Sequence, residues 1–319
     1  VFEDCESAKH VAIWYQRGSK YLLTPTSYRL EFYIMNIGFV GFGLIGGSIA
    51  RKLKKVHPDY TITVTSRSKA PLYQAKDDGV VDVVADSVDD NFSDCDYIFL
   101  CTPVVTITEY LATLRHIIKD SCIITDVGSV KSCVHNAVHS AKLDAHFIGG
   151  HPMAGSEHSG YRYSTDTLLR GAVYVVTPTP SSPQEKVTEM CDMIRELEAV
   201  PVIMDCKEHD YAVAGISHVP HLASAALAMM VHDNDDRDMH MHTLAAGGFK
   251  DTTRIAASSP EMWEQICVSN RDAISQLLDK YIEELETIRT HIKSDSDAEC
   301  SNYIKNLFNT AGEYRNTFK

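Results

Sequence analysis

His151 stands in the segment Gly149-Gly-His-Pro-Met-Ala-Gly-Ser-Glu157. An imidazole titrates near neutrality, which suits a proton acceptor at physiological pH. The competing reading is a structural histidine ahead of Pro152. Ser129 lies in Thr125-Asp-Val-Gly-Ser-Val-Lys131. Its hydroxyl would bond the reacting group or orient His151, or else cap a helix ahead of Val130. Lys131 is either the neighbour of a bound anion or an ordinary first-turn lysine. Arg254 closes Gly247-Gly-Phe-Lys-Asp-Thr-Thr-Arg254. A guanidinium there would grip a carboxylate through paired hydrogen bonds, with Asp251 orienting it by an ion pair. His218 and His221, in Ser217-His-Val-Pro-His221, are three apart and share a helical face. Pro220 between them should kink that helix. Zinc-binding H-E-x-x-H has i, i+4 spacing and a glutamate, and neither occurs here, so no metal is expected.

A second constellation points to a nucleotide. Gly41-Phe42-Gly43-Leu44-Ile45-Gly46 follows an apolar strand and opens a helix. Its first glycine makes a tight turn, the second admits a pyrophosphate, and the third lets helix and strand pack closely. The pyrophosphate would rest on the helix N-terminus, where free N–H groups favour anions. About 20 residues on, an acid would bind a ribose 2′-hydroxyl and select NAD. This chain instead has Thr65-Ser66-Arg67-Ser68-Lys69. Ser66, Ser68 and the Arg67 fork suit a 2′-phosphate, so the expected cofactor is NADP ahead of NAD. The competing reading has Arg67 stacked over the adenine or simply solvated. Thr102 and Pro103 end a strand and would line the nicotinamide ribose pocket, or form a plain turn.

These residues need a scaffold. Apolar, β-branched runs predict strands at 36–40, 61–65, 96–101, 121–126, 146–149, 173–177 and 201–204. Helical stretches lie between them at 45–56, 70–78, 105–118, 130–141 and 183–199. The alternation predicts an α/β fold, with an N-terminal Rossmann-type doubly wound sheet over 35–205. After Asp205 strand signals fade, and 208–232, 237–247, 260–291 and 298–310 predict an all-α C-terminal domain over 206–319. Ser259-Pro260-Glu261 is a helix start, with proline at N1 and acid in the first turn.

The chain has 319 residues and a formal net charge of −13. No basic block offsets that charge, which argues against nucleic-acid binding. No run of about 18 uncharged apolar residues suggests a membrane span. Nine scattered cysteines without a C-x-x-C suit a reducing, cytoplasmic setting. The first methionine is Met35. Residues 1–34 are expected to be an upstream extension or the product of a misassigned start, with a native arm packed on the body as the other reading.

The combination of HPMAGSE, SHVPH and GGFKDTTR, from Met35 to about residue 310, resembles the prephenate/arogenate dehydrogenase family of tyrosine biosynthesis. That resemblance implies an NAD(P)-dependent oxidative decarboxylation of prephenate, with arogenate as the alternative substrate. It places the catalytic histidine at His151 and sets His221 beside Arg254 at the ring carboxylate. His218 falls near the cofactor or supports the site. Ser156 and Glu157 fall at the substrate entrance, with Glu157 as part of a gate. Trp263 is either a core residue or, by the resemblance, reaches the active site of a partner subunit, so that the helical domain becomes a homodimer interface. Two rivals remain: another dehydrogenase built from a Rossmann and a helical domain, and a non-catalytic nucleotide sensor needing neither His151 nor Arg254.

Overall fold

A computed structural model describes residues 34–155 and 158–318, together with the strands Ile13–Gln16 (β1) and Ser19–Leu22 (β2). Ser156 and Glu157 lie outside the described residues. A five-stranded parallel sheet is built from Asn36–Val40 (β3), Thr61–Thr65 (β4), Val83–Val84 (β5), Tyr97–Leu100 (β6) and Ile123–Asp126 (β7), in the order β5-β4-β3-β6-β7. β6 and β7 are buried throughout, as the unbroken apolar runs predict. Side chains alternate between two layers. Ile37, Phe39, Tyr97 and Phe99 join one core, whereas Val40, Ile98 and Leu100 join the other. The helices Leu44–Val56 (α1) and Ala70–Asp77 (α2) cover the first face, and Val104–Leu114 (α3) and Ser132–Ser140 (α4) the second.

The sheet continues differently from the expected parallel array. An isolated bridge pairs Ile124 with Phe147, and the chain then runs into Ile148–Pro152 (β8). β8 is antiparallel to Val173–Pro178 (β9), with His151 opposite Val175. Gln184–Glu196 (α5) then leads to Val200–Ile203 (β10), parallel to β9. β1 adds to β10 with Trp14 opposite Ile203, and β2 pairs with β1. The expected strand 146–149 is thus shifted, and His151 lies within β8 rather than beyond it.

At the domain junction the Asp205 carboxylate accepts from the Lys207 and Glu208 N–H groups and starts Cys206–Val213 (α6). A π-helical turn over Ala214–His218 follows, then Val219–Asn234 (α7). Pro220 explains the wide turn, because it lacks an N–H and its ring collides with the carbonyl four residues back. The whole path Cys206–Asn234 is long and apolar enough, by length and composition, to cross a membrane, against expectation. It nevertheless carries the site histidines described below. His240–Leu244 (α8), Gly247–Thr253 (α9), Pro260–Ser269 (α10), Arg271–Ile292 (α11) and Asp297–Arg315 (α12) complete the helical half. Ser259 Oγ caps α10 by accepting from Met262 N–H at 3.3 Å. The expected single helix over 260–291 is broken at Asn270, whose buried side chain is used elsewhere.

Candidate active site

A cavity of about 260 Å³ opens where the C-terminal end of β7, the end of β8, the π turn and α10 converge. Ser129, His151, Ser217, His218, His221 and Trp263 line it. Five residues singled out from sequence therefore meet at one place: Ser129, His151, His218, His221 and Trp263. β8 can deliver His151 only because Gly150 lies flat against β7. A Cβ on Gly150 would sit 2.7 Å from the Asp126 carbonyl oxygen and 2.9 Å from the Tyr174 ring.

His151 is half-buried, and its Nδ1 lies 2.8 Å from Nε2 of His209. His209 Nδ1 lies 2.9 Å from the Asp210 carboxylate. Burial first, and then the charges of His209, Lys131 and His218, hold the His151 pKa well below the ordinary histidine value. His151 is therefore neutral and able to take a proton. His218 is 2% exposed, and burial lowers its pKa to about 4. The Asn270 amide N–H₂ donates to His218 Nδ1 at 3.1 Å and to the Asp210 carbonyl at 2.8 Å. That fixes the His218 proton on Nε2. His221 donates from Nδ1 to the Ser217 carbonyl at 2.8 Å and stacks on Trp263, ring centroids 4.0 Å apart. Trp263 Nε1 is buried with no hydrogen-bond partner among the described residues.

Several expectations need correction. α4 begins at Ser132, so Ser129 is not its cap, and the hydroxyl belongs to the cavity wall. Lys131 neither meets solvent nor faces the cavity. It is fully buried, ion-paired with Asp126, and donates to the Gly150 carbonyl at 2.7 Å. Asp126 also accepts from Gly128 N–H and Gly150 N–H, at 2.9 and 3.2 Å, so this pair locks β7 to β8. Arg254 starts the 3-10 turn Arg254–Ala257, is exposed, and is not on the cavity wall. Asp251 is exposed. The sequence reading missed His209, Asp210 and Asn270. The available signal was a His-Asp pair on the apolar face of α6, one turn ahead of buried Val213.

The glycine loop has the expected shape. Gly41 adopts φ +87°, and a Cβ there would meet the Cys101 backbone at 2.8 Å. A Cβ on Gly43 would meet nothing within 4 Å, which leaves backbone open toward the space a pyrophosphate would fill. α1 has no side-chain cap and no acid in its first turn, so its N–H groups are available to an anion. Phe42 points the other way, stacked on Tyr161 in the core with centroids 5.3 Å apart. Leu44 and Ile45 are half-buried at the helix start. Thr102 Oγ1 is buried beside the loop without a partner among the described residues, and Pro103 stands at the N-cap position of α3. Ser66 is half-buried, while Arg67 and Ser68 are exposed at the end of β4. An open loop, a bare helix N-terminus and an orphaned hydroxyl fit a dinucleotide. Among the described residues, no group of three or more His, Cys, Asp or Glu is arranged to hold a metal ion.

Family models match both halves. Residues 49–203 match the nucleotide-binding domain of prephenate dehydrogenase, and residues 205–307 match its dimerization domain. The chain belongs to the prephenate dehydrogenase family. It is 36% identical to prephenate dehydrogenase of Bacillus subtilis over 86% of this chain and 74% of that relative. It is 31% identical to cyclohexadienyl dehydrogenase of Zymomonas mobilis over 81% of this chain and 89% of that relative. The crystal structure of prephenate dehydrogenase from A. aeolicus, in complex with hydroxyphenyl propionate and NAD+, superposes with a TM-score of 0.82 at 29% identity. It covers 89% of this chain and 99% of that one. The family's nucleotide-binding domain ends two residues before Asp205, the residue that caps α6.

Proposed function

We propose that this enzyme oxidises and decarboxylates prephenate to 4-hydroxyphenylpyruvate in tyrosine biosynthesis, with His151 as the proton acceptor. The observation that carries the reading is a neutral, hydrogen-bonded His151 on the wall of a small cavity at the same carboxyl edge of the parallel sheet as the glycine loop. Bound nicotinamide supplies the hydride acceptor for the ring C4 hydrogen. His151 takes the 4-hydroxyl proton, and Ser129 hydrogen-bonds the same oxygen. Loss of the ring carboxylate as CO₂ then makes the ring aromatic, and the proton returns to the oxygen. Trp263 Nε1 and the His218 Nε2–H are donors for the substrate's oxygens, and His221 and Trp263 form a flat apolar wall. We assign Arg254 to a carboxylate at the rim. Ser156, Glu157 and Asp251 are assigned to the entrance.

We divide the chain into a dinucleotide-binding domain over 35–205 and a substrate and dimerisation domain over 206–319. We take NADP as the preferred cofactor, since Ser66, Arg67 and Ser68 offer a fork and hydroxyls and no acid. Arg67→Ala should then raise KM for NADP+ by about tenfold or more and leave NAD+ nearly unchanged. Eight free cysteines among the described residues suit a cytoplasmic enzyme. A homodimer through the helical half is supported by the family's dimerization domain and by the apolar side chains left exposed there. The test of the reaction is nicotinamide reduction at 340 nm with prephenate and arogenate against NAD+ and NADP+ in every pairing. Turnover with prephenate supports the reading. Turnover with arogenate alone moves the assignment to arogenate dehydrogenase. No turnover in any pairing removes the enzyme.

A further inference from the structure

We propose that His209 and Asp210 form a positioning relay that holds His151 in the one tautomer able to accept the substrate proton. The proposal deepens the prephenate dehydrogenase reading and rests on it for the role of His151. Asp210 is 4% exposed. Oδ1 accepts the Lys131 N–H at 2.7 Å, and Oδ2 accepts the Ser132 N–H at 2.7 Å. Both amides belong to the start of α4, so a residue of the helical half caps a helix of the sheet half and cannot swing away. Burial works to raise the Asp210 pKa, but hydrogen bonds from His209, Ser132 and these amides outweigh it and hold the group below its ordinary value. Asp210 is therefore an ionised carboxylate, which only accepts.

His209 is fully buried between this carboxylate and His151. Its Nδ1 must carry the proton given to Asp210. In the neutral ring, Nε2 is then a lone pair. That lone pair faces Nδ1 of His151 at 2.8 Å, so Nδ1 of His151 must be the donor. The free nitrogen of His151, Nε2, is left as the base. When the substrate O–H breaks and the Nε2–H bond forms, positive charge develops on His151. His209, Lys131 and His218 oppose that charge. A doubly protonated His209 would reverse the order, donate to Nδ1 of His151, and leave Nε2 protonated and useless. The logic is that of an acid–histidine pair that orients a second group by hydrogen bonding.

The groups facing the relay are His151 from β8, Lys131 with Asp126 behind it, His218 from the π turn, and Asp210 itself. Two measurements separate positioning from packing. In protein labelled with ¹⁵N-histidine, long-range ¹⁵N–¹H spectra should show His151, assigned by its loss in His151→Asn, as the neutral Nδ1–H tautomer near neutral pH. His209→Leu should abolish that tautomer and lower kcat with prephenate by about 10²- to 10⁴-fold. KM for substrate and nucleotide should move less than about threefold. His209→Gln puts an amide oxygen where Nε2 was. It should keep the Nδ1–H signal and recover most of kcat, and it decides the question if the leucine variant fails to fold. An Nε2–H tautomer in the native protein overturns the relay. So does an unaltered tautomer and kcat in His209→Leu, or a His209→Gln variant that folds but loses the Nδ1–H signal. The spectrum needs no substrate, so the relay can stand even if native protein leaves prephenate untouched.

Discussion

The histidines of the cavity are defined more by their neighbours than by their own type. His218 illustrates this, with Asn270 donating to one nitrogen and Trp263 edge-on to the ring, centroids 5.9 Å apart. Its depressed pKa has a consequence for stability. The unfolded chain binds a proton at the ordinary value of 6.5, while the folded chain does so only near 4. Stability from this group is complete above pH 6.5 and is lost as pH falls to about 4, a total of about 3 kcal/mol. His151, depressed for the same reason, acts in the same direction. His218→Gln should therefore flatten the dependence of the urea midpoint on pH across that window, as read from denaturation curves at several pH values. An unchanged slope would mean that His218 is not the buried neutral group described. Arg254→Ala should raise KM for prephenate strongly with little change in kcat, since it removes a partner for a substrate carboxylate. A constant KM would take Arg254 out of the site. The motifs drew attention to the serine and histidine positions that line the cavity, but no motif states how far Arg254 stands from it. Distance from a cavity depends on how α9 and the following turn pack against α7, and residue type carries none of that.

Elements position these groups through a few close contacts. Gly41 and Gly43 separate two roles of one loop. Gly41→Ala forces a side chain into a left-handed backbone and against Cys101, and should destabilise the fold by about 1–3 kcal/mol. Gly43→Ala has open space, so the melting temperature should hold while nucleotide affinity falls, as calorimetry and titration would read separately. Lys131→Met should destabilise by about 3–5 kcal/mol, because it leaves Asp126 buried without its cation. The parallel strands, the glycine loop and the helix start at Ser259 could be read from sequence because each rests on local pattern. The antiparallel turn of β8 against β9 could not, since strand direction is set by long-range pairing rather than by periodicity. β5 has only two residues, too few to show a period. The π turn was foreseen only as a kink at Pro220, and the break at Asn270 not at all. An asparagine inside an otherwise helical pattern reveals its purpose only when Asp210 and His218 are seen beside it.

At the scale of the whole molecule, the two halves are joined through the active site. Asp210 caps α4 across the junction, and Asn270 reaches back to the same residue. The helical half also leaves apolar surface uncovered, with Leu244 77% and Phe308 72% exposed. The family's dimerization domain spans residues 205–307 of this half. Sedimentation should give a homodimer, and Leu244→Glu or Phe308→Glu should shift it toward monomer. A native monomer at micromolar concentration would exclude this role. The account as a whole depends on a proton leaving the substrate for His151 in the cleft between the halves. The decisive comparison is prephenate turnover and nucleotide binding by His151→Asn against the native enzyme. Turnover should fall by about 10³-fold or more while the nucleotide Kd stays within about twofold. A variant that still turns over at near-native rate would contradict it.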